Sequence, residues 1–381
     1  MNAPTFNVSL DKPPHKRYAD IISQECPGAF LNYDDPRDMN PAYVELPFYV
    51  KHLLHARDMF QALFGNTRIW LSLLVQANQM ISIQNLYMDE LQGIVDHINE
   101  AVTGQAEKLK FSELVIIQYA YEFNALCTSV AVNVDSESGP LHIRTMDWPT
   151  SFLSPLTMQL EFYKGGQILF KSTSWLGLVG IFTGMRMADP SKPSSEPFSI
   201  SLNYRRVIEP SILSFVSKMM SRQLATTGQL IRQTLEQVEH FGTAVQSLRN
   251  SPLISPCYFT IVGSQHQNGV VITRGEQSLH TTQSLRTSNY IVQTNTDHLS
   301  ATTVDPNSLD VFNSISRMLS IENSMLQIVS RNTINYEELW KMMGKEPVLD
   351  KITVYATLMN PSMGYFETRL PHYRRRKLTL T

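Results

Sequence analysis

Cysteine is scarce in this chain, because the 381 residues include only Cys26, Cys127 and Cys257. Three cysteines are too few for a disulfide framework, so the class of small disulfide-stabilised domains is excluded. Long apolar runs are missing as well, since the longest, around residues 69–75, is far shorter than the roughly 20 residues of a membrane-spanning helix. The net charge of −2 gives no argument for a nucleic-acid partner, and we expect none.

What is present is the composition of a folded protein. Apolar residues make up 43% of the chain, close to the roughly 45–50% of globular domains. The length permits one large domain or two ordinary ones. The pattern of residues therefore predicts packed helices and strands rather than wholesale disorder.

Helical and strand-like patterns occur in separate blocks. Helical spacing of apolar residues predicts helices within 47–103, 110–125, 210–248 and 308–344. Strands are predicted at 127–134, 141–147, 157–163, 167–173, 178–184, 198–204, 257–263, 269–273, 289–294, 351–359 and 364–369. Residues 1–45 are expected to be mostly extended, and residues 189–197 to form a solvated loop or a mobile lid. Such blocks, joined largely by hairpins, indicate an α+β fold with mostly antiparallel sheets.

A cysteine, an arginine and an aspartate occur together in one predicted hairpin. Cys127 begins the first strand, and Arg144 and Asp147 lie on the returning strand. Centring the turn on Glu137 places Cys127 opposite Asp147 and Arg144 near Val130, and a shift of one residue would exchange the faces. A guanidinium near a thiol favours the thiolate, so this pattern predicts a nucleophilic site. The alternative is an ordinary buried cysteine on a sheet.

The strings around these residues carry a family resemblance. NALCTSVAV and HIRTMDWP resemble the nucleophile segment of the acid ceramidase and N-acylethanolamine acid amidase family, whose members are thiol N-terminal-nucleophile hydrolases. The acid ceramidase branch is the most similar. Further strings that fit are VSLDKPPHKRY, SLNYR, PCYFTIVGSQ, IVQTNTDH and KEPVLDKITVYATLMNPSMGYFET. The resemblance runs nearly end to end and is weakest over 45–110 and 300–340.

The resemblance implies a fold and an activation step. The fold would be the four-layer αββα sandwich of N-terminal-nucleophile hydrolases with an N-terminal helical lobe. Self-cleavage between Leu126 and Cys127 would divide the chain into an α fragment, 1–126, and a catalytic β fragment, 127–381, which remain associated. The new α-amine, which titrates at about 7.7–8.0, could then take the thiol proton without a histidine base.

The resemblance also assigns roles to individual residues. Arg144 would hold negative charge near the sulfur and lower the pKa of the thiol, and Asp147 would orient the new ammonium group. Asn295 matches the family's Thr-Asn-x-Asp asparagine and is the main candidate for binding the developing oxyanion, with Asn203 second. Without the resemblance, either asparagine is more typical of a turn. Cys257 is a rival nucleophile on chemistry alone, and we expect it to be a core residue.

Three departures from the family pattern leave the substrate open. Ile143 and Thr145 replace a glycine and an asparagine beside the arginine, and Tyr204 replaces a glutamate. An Asp-Asp-Arg-Arg string is absent from the region of 303–306, and spacing alone does not assign its arginine to Arg317. Hydrolysis remains the expected chemistry.

The expected reaction is hydrolysis of the N-acyl bond of ceramide or a related lipid amide through a Cys127 thioester, with neither a metal nor an organic cofactor. One alternative is an amidase for N-acylethanolamines or for bile-salt or penicillin-type amides. Another is a non-catalytic homologue that binds a lipid or a protein. Five apolar side chains could line an acyl groove or belong to the ordinary core: Trp148, Phe152, Leu153, Trp175 and Phe182. The amphipathic segments 53–64 and 86–98 suit transient membrane-surface contact or packing on the sheet.

Family members are usually lysosomal, glycosylated and disulfide-containing. This chain has one Asn-x-Ser/Thr sequon, at Asn7, and its first residues lack the basic-then-apolar plan of a secretory signal. We therefore expect a protein made in a reducing compartment, either cytosolic or exported by a signal-independent route. Numbering that starts after a removed signal is the alternative and would imply a lysosomal protein.

Overall fold

Two large β-sheets and the helices that cover them form the computed structural model, which describes residues 1–25, 39–63, 87–134, 137–205, 226–276, 278–297, 313–374 and 377–379. The described helices are α1 (Ala19–Ile22), α2 (Phe48–Leu63), α3 (Met88–Ala101), α4 (Phe111–Asn124), α5 (Thr227–Gln237), α6 (Phe241–Asn250), α7 (Ser314–Ser330) and α8 (Tyr336–Met343). Short 3-10 turns occur at Pro14–Lys16, Pro41–Tyr43 and Ser151–Leu156.

The strands follow the chain from its first residues to its end. They are β1 (Thr5–Ser9), β2 (Leu126–Val132), β3 (Leu141–Asp147), β4 (Thr157–Lys164), β5 (Gln167–Trp175), β6 (Thr183–Arg186), β7 (Phe198–Tyr204), β8 (Cys257–Gly263), β9 (Gly269–Arg274), β10 (Leu279–Ser284), β11 (Tyr290–Gln293), β12 (Thr353–Asn360), β13 (Tyr365–Arg369), β14 (His372–Arg374) and β15 (Lys377–Thr379).

The strands form an eight-stranded sheet in the order β1-β4-β5-β6-β7-β8-β9-β10 and a five-stranded sheet in the order β11-β2-β3-β12-β13. Strands β14 and β15 form a separate hairpin. Strand β1 pairs with β4 in parallel, whereas the other paired strands are antiparallel.

The two large sheets pack face to face, with β2 against β7 and β8. Helices α5 and α6 cover the outer face of the eight-stranded sheet, and α7 and α8 cover that of the five-stranded sheet. This is the predicted αββα arrangement, and the α+β class is confirmed. Because β2 and β3 are covered on both faces, every residue of each strand is buried, which explains why they lack the strict alternation of a half-exposed strand.

The segment before Cys127 contributes helices and one strand. Helix α2 packs on the turn Ser151–Leu156 and on α4, and α3 packs on α1 and α4. The extended start of the chain supplies β1, which forms an edge of the eight-stranded sheet. No described helix is long and apolar enough to span a membrane.

Most predicted strands are found within one or two residues of their expected ends, and the hairpin of β14 and β15 after residue 369 was not predicted. The strand expected at 178–184 begins only at Thr183. The backbone N–H of Leu178 donates to Trp175 in a turn, and that of Ile181 donates to the carbonyl oxygen of Gly228 in α5 instead of to a neighbouring strand. Strand β10 was not predicted, since its residues are mostly polar. The predictions for Cys26, for 64–86, 210–225 and 308–312, and for the missing Arg-Arg string near 303–306 lie outside the described residues.

Candidate active site

The hairpin around Cys127 is present, and its register differs by one residue from the expected one. Leu126, rather than Cys127, pairs with Asp147, and Ser129 pairs with Arg144. Because alternate residues of a strand point to opposite faces, Arg144 shares the face of Cys127, whereas Asp147 lies on the other face.

Cys127 is fully buried one residue after the start of β2. Helix α4 ends where Ala125 adopts extended backbone angles (φ −106°, ψ 147°), so the chain passes from helix to strand without a loop. The Cys127 Sγ accepts a hydrogen bond from Arg144 Nη2 at 2.9 Å and lies 3.7 Å from Met146 Sδ. The predicted proximity of thiol and guanidinium is thus a feature of the fold.

Arg144 is fully buried between the two sheets. Its Nη1 donates to Thr183 Oγ1 and to Tyr355 Oη, both at 2.8 Å. Its Nη2 donates to the carbonyl oxygen of Leu202 at 2.7 Å as well as to the sulfur. A buried cation needs such partners to offset the loss of its hydration.

Asn295 lies next to the peptide bond on the N-terminal side of Cys127. Its Oδ1 accepts the backbone N–H of Cys127 at 3.0 Å, and its Nδ2 donates to the carbonyl oxygens of Tyr204 at 2.8 Å and Ala125 at 3.4 Å. In the uncut chain Asn295 therefore presents its carbonyl end, rather than its amide hydrogens, to the cysteine. Its predicted role as oxyanion donor requires Nδ2 to leave a carbonyl partner.

Arg317 joins the site from the first turn of α7. Its Nη1 donates to the carbonyl oxygen of Cys127 at 2.8 Å and to Thr128 Oγ1 at 2.6 Å, and its Nη2 donates to Asn295 Oδ1 at 2.9 Å. The sequence did not assign this arginine a role. The usable signal is its place near the start of a predicted apolar helix, one position after Ser316 and three positions after Ser314.

Asp147 is buried on the side of β3 that faces α7. It accepts hydrogen bonds from Thr353 Oγ1 at 2.7 Å and Thr145 Oγ1 at 3.1 Å, and Arg317 Nη1 lies 3.3 Å from its Oδ2. Burial raises the pKa of Asp147, and the positive charge of Arg317 acts in the opposite direction. Asp147 reaches the cysteine region through Arg317, so its predicted contact with a new ammonium group stays a prediction.

Asn203 occupies a neighbouring position without a hydrogen bond to Cys127 among the described contacts. Its Oδ1 accepts from Ser129 Oγ at 2.7 Å, and its Nδ2 donates to the carbonyl oxygens of Gln293 at 2.9 Å and Thr294 at 3.2 Å. Asn203 thereby joins β7 to β2 and to the end of β11, just before Asn295. In this state it orders the backbone that carries Asn295.

A buried histidine extends the group of polar side chains between the two sheets, which also includes Ser129 and Asn203. His142 contacts Ser199 Oγ at 2.9 Å and Ser201 Oγ at 2.8 Å, and Ser201 contacts Ser129. Burial, and after it the charge of Arg144, lower the pKa of His142 to about 3. His142 is therefore neutral near pH 7 and is not a ready proton acceptor for the thiol.

An apolar cavity of about 10 Å³ lies near the site, which is room for about one water molecule. Four of the five predicted groove residues line it, and Phe152 packs nearby against Phe60 with ring centroids 5.1 Å apart. The lining residues are Leu53, Ala56, Phe60, Ile117, Trp148, Leu153, Leu156, Trp175, Leu176, Leu178 and Phe182. Trp175 in the cavity wall contacts Tyr355, with ring centroids 5.9 Å apart. Tyr355 contacts Arg144, which donates to the Cys127 sulfur, so two side chains separate the cavity wall from the thiol.

Two other predicted features are peripheral to this arrangement. Cys257 is buried in the main apolar core at the start of β8. The loop at 189–197 is attached to the residues before α6, where Lys192 forms an ion pair with Glu239 and Glu196 accepts the backbone N–H of Phe241 at 3.1 Å. A lid function for this loop stays a prediction.

Comparison with known proteins finds relatives over most of the chain, although no protein-family model matches it. The acid ceramidase of Bos taurus is 26% identical over 96% of this chain and 86% of that protein. The acid ceramidases of Pan troglodytes, at 27%, and Homo sapiens, at 26%, match over the same shares. A solved structure of the N-acylethanolamine-hydrolyzing acid amidase ortholog from Caenorhabditis elegans matches with a TM-score of 0.52 and 23% identity, covering 67% of this chain and all of that chain.

The fold brings a cysteine and an arginine into contact on neighbouring strands of the five-stranded sheet, and the relatives span nearly the whole chain. This chain is similar to the acid ceramidases and to the N-acylethanolamine-hydrolyzing acid amidase ortholog, and it has an N-terminal-nucleophile hydrolase fold.

Proposed function

We propose that this chain cleaves its own Leu126–Cys127 bond and then hydrolyses the N-acyl bond of ceramide or a related lipid amide through a thioester on Cys127. The similarity to acid ceramidases and to an acid amidase supports an amide-bond hydrolase. The finer statement rests on the 2.9 Å contact between Arg144 Nη2 and Cys127 Sγ, together with the acceptor that Asn295 offers to the Cys127 nitrogen.

The first step is an acyl shift within the chain. Cys127 Sγ attacks the carbonyl carbon of Leu126, the C–N bond breaks, and the thiol proton ends on the leaving nitrogen. Water then hydrolyses the Leu126 thioester and restores the thiol. Arg144 favours the thiolate that attacks, and Asn295 Oδ1, which already accepts the N–H of Cys127, holds the nitrogen that becomes an amine.

Turnover repeats this chemistry on a separate amide. The free α-amine of Cys127 takes the thiol proton as Sγ attacks the substrate carbonyl, and passes it to the departing amine. Water cleaves the acyl thioester and releases the carboxylic acid. Asn295 Nδ2 becomes the oxyanion donor if it exchanges the Tyr204 carbonyl for the substrate oxygen.

The substrate class follows from the apolar cavity beside Tyr355. In the uncut chain this cavity is too small for an acyl chain, and side chains of both future fragments close it: Leu53, Phe60 and Ile117 come from the segment before the cut. A movement of these side chains after cleavage would open a path lined by Trp148 and Trp175. An aliphatic acyl chain suits such walls because its burial is favourable without any polar partner.

The position of Arg317 weakens the case for a non-catalytic homologue. That hypothesis rested on a missing family arginine and on the altered neighbours of Arg144. Arg317 contacts both Cys127 and Asn295. The altered neighbour Ile143 faces the core under α7 and α8, away from the sulfur, and Thr145 donates to Asp147.

The decisive experiment is an intact-mass time course of the purified chain over a range of pH, with sequencing of any fragment. We expect two fragments, the larger beginning at Cys127. The processed protein is then assayed side by side with ceramide, an N-acylethanolamine, a conjugated bile salt and a penicillin. Turnover by a chain that stays full length would contradict the mechanism. Two fragments with preference for the bile salt or the penicillin would refute the lipid-amide assignment alone.

A further inference from the structure

We infer that Tyr355 and Thr183 are positioning residues that aim the guanidinium of Arg144 at the nucleophilic sulfur. The inference deepens the proposed function and rests on Cys127 being the nucleophile of that reaction. Neither residue contacts Cys127 directly among the described hydrogen bonds. Both act through Arg144, and their two hydroxyls form a closed triangle with its Nη1.

The triangle has three short sides. Arg144 Nη1 is 2.8 Å from Thr183 Oγ1 and 2.8 Å from Tyr355 Oη, and the two hydroxyl oxygens are 2.9 Å apart. Both oxygens accept a hydrogen of Nη1, and one hydroxyl donates to the other. The triangle joins three strands, because Arg144 is on β3, Thr183 on β6 and Tyr355 on β12.

Because a guanidinium is planar, this triangle fixes the orientation of the Arg144 side chain. The two terminal nitrogens of a planar guanidinium carry four hydrogens in fixed directions. Nη1 donates to the pair of hydroxyl oxygens of Thr183 and Tyr355, and Nη2 donates to the Leu202 carbonyl oxygen at 2.7 Å. These acceptors fix the plane and rotation of the guanidinium, and in that orientation Nη2 also donates to Cys127 Sγ at 2.9 Å.

Burial makes the alternatives to this arrangement costly. Arg144, Thr183 and Tyr355 are each fully buried, so a guanidinium that turned away from the triangle would not find water to replace the lost partners. Burial also raises the pKa of Tyr355, and Arg144 opposes that shift, so the phenol stays protonated and available as acceptor and donor. The ring of Tyr355 lies against the cavity wall, whereas its hydroxyl serves the arginine.

The charged groups around the thiol are few in the described part of the chain. Arg144 contacts the sulfur, Arg317 contacts the carbonyl oxygen of Cys127 from α7, Asp147 lies beyond Arg317, and His142 is neutral between two serines. Among these groups, Arg144 donates the described hydrogen bond to the sulfur. A change in the orientation of the Arg144 guanidinium should therefore change the pKa of the Cys127 thiol.

The test uses the thiolate absorbance near 240 nm of the full chain, measured as a pH titration. For each variant the same protein with the added change Cys127→Ala serves as the blank. We expect Tyr355→Phe, which keeps the ring and loses the hydroxyl, to move the midpoint upward by about one pH unit, the size expected from weakening one hydrogen bond to a charged group. Thr183→Val should move it in the same direction, and Thr183→Ser should restore it.

A matched control comes from another buried tyrosine that contacts an arginine. Tyr43 Oη accepts from Arg57 Nη2 at 2.7 Å in the N-terminal segment, so Tyr43→Phe removes an equivalent hydroxyl elsewhere. Its midpoint should equal that of the unsubstituted chain. Equal shifts in Tyr355→Phe and Tyr43→Phe, or no shift in both Tyr355→Phe and Thr183→Val, would overturn the inference.

Kinetics provide a second measurement that separates this inference from the proposed function. In Tyr355→Phe we expect slower self-cleavage and a lower kcat with nearly unchanged KM, because the ring that supports the cavity is kept. An unsubstituted chain that neither cleaves itself nor turns over an amide would refute the proposed function. The absorbance titration would still decide whether Tyr355 and Thr183 aim Arg144.

Discussion

Arg317 and Cys127 are 190 residues apart in the sequence and are joined by a 2.8 Å hydrogen bond from Nη1 of the arginine to the carbonyl oxygen of the cysteine. The second nitrogen of the same guanidinium donates to Asn295 Oδ1. One side chain therefore holds both the proposed nucleophile and the asparagine that accepts its backbone N–H. This arrangement gives Arg317 a larger role than its place on a helix suggests.

Replacement of this arginine should slow self-cleavage without unfolding the chain. In Arg317→Lys a single ammonium cannot reproduce the planar fork, so Asn295 and Cys127 lose their common support. Misplacement of a reacting group by about 1 Å can cost ~100-fold in rate, and we expect a loss of that order in the fragment time course. The unfolding temperature should show that the variant is folded.

The control for this variant lies at the end of the same helix. Arg331 is exposed there, and Arg331→Lys should cleave at the rate of the unsubstituted chain. If Arg317→Lys also cleaves at that rate, Arg317 does not support the reaction.

The two arginines of the site show which contacts can be predicted from the sequence and which cannot. Arg144 was predicted because it is close to Cys127 in a local hairpin, where a short turn limits the possible pairings. Arg317 arrives from a helix in the other half of the chain. Its approach depends on how α7 packs on the five-stranded sheet, and no local pattern encodes that packing.

The register of the hairpin shows a second limit. The turn between β2 and β3 is long enough for more than one centre, so the sequence did not determine whether Arg144 or Asp147 shares the face of Cys127. The burial of both faces removed the alternation that would have decided it. The structure places Arg144 on that face and Asp147 with Arg317 on the other.

The chain offers two described cysteines with the same burial and only one with the geometry of a nucleophile. Cys127→Ala should abolish both self-cleavage and amide turnover, whereas Cys257→Ala should keep both. Each change removes one sulfur from a fully buried position, so losses of stability should be comparable. Intact mass and substrate turnover measure the difference. Loss of activity in Cys257→Ala at unchanged unfolding temperature would contradict the assignment.

The two fragments should remain associated after the cut, although Cys127 and Cys257 do not form a disulfide with each other. Strand β1 of the α fragment pairs with β4 of the β fragment. Glu90 and Arg232 form a fully buried ion pair across the same boundary, with contacts of 2.6 and 2.7 Å. Size-exclusion chromatography of the processed protein should therefore show one complex under non-reducing and reducing conditions alike.

Glu90→Gln should weaken that complex. Removing one partner of a buried ion pair leaves an uncompensated charge and costs about 3–5 kcal/mol, and the contact of Arg232 with Glu236 at 2.8 Å favours the lower end. We expect the fragments to separate at lower urea concentration than in the unsubstituted protein. Glu337→Gln, which breaks an exposed ion pair with Lys341, is the control and should leave the urea midpoint unchanged. Equal midpoints for both variants would refute the prediction.

His142 should make the folded chain sensitive to acid. Its folded-state pKa is about 3, whereas an unfolded histidine titrates near 6.5. Above pH 6.5 both states are neutral at this residue and stability is unaffected. As the pH falls from about 6.5 towards 3, the unfolded chain binds a proton that the folded chain does not, so the free energy of unfolding decreases by up to ~1.4 kcal/mol per pH unit.

His142→Gln isolates this contribution, because glutamine can bond to Ser199 and Ser201 and does not titrate. Urea unfolding of His142→Gln at pH 7, 6, 5 and 4 should show a shallower loss of stability than the unsubstituted chain, even if the variant is less stable at pH 7. The exposed His240 provides the control, and His240→Gln should give a curve parallel to that of the unsubstituted chain. Parallel curves for His142→Gln and the unsubstituted chain would mean that His142 is not held neutral in the folded protein. A shallower curve would show that His142 stays neutral in the folded protein. The space between the sheets then holds the positive charge of Arg144 without a second positive charge on His142.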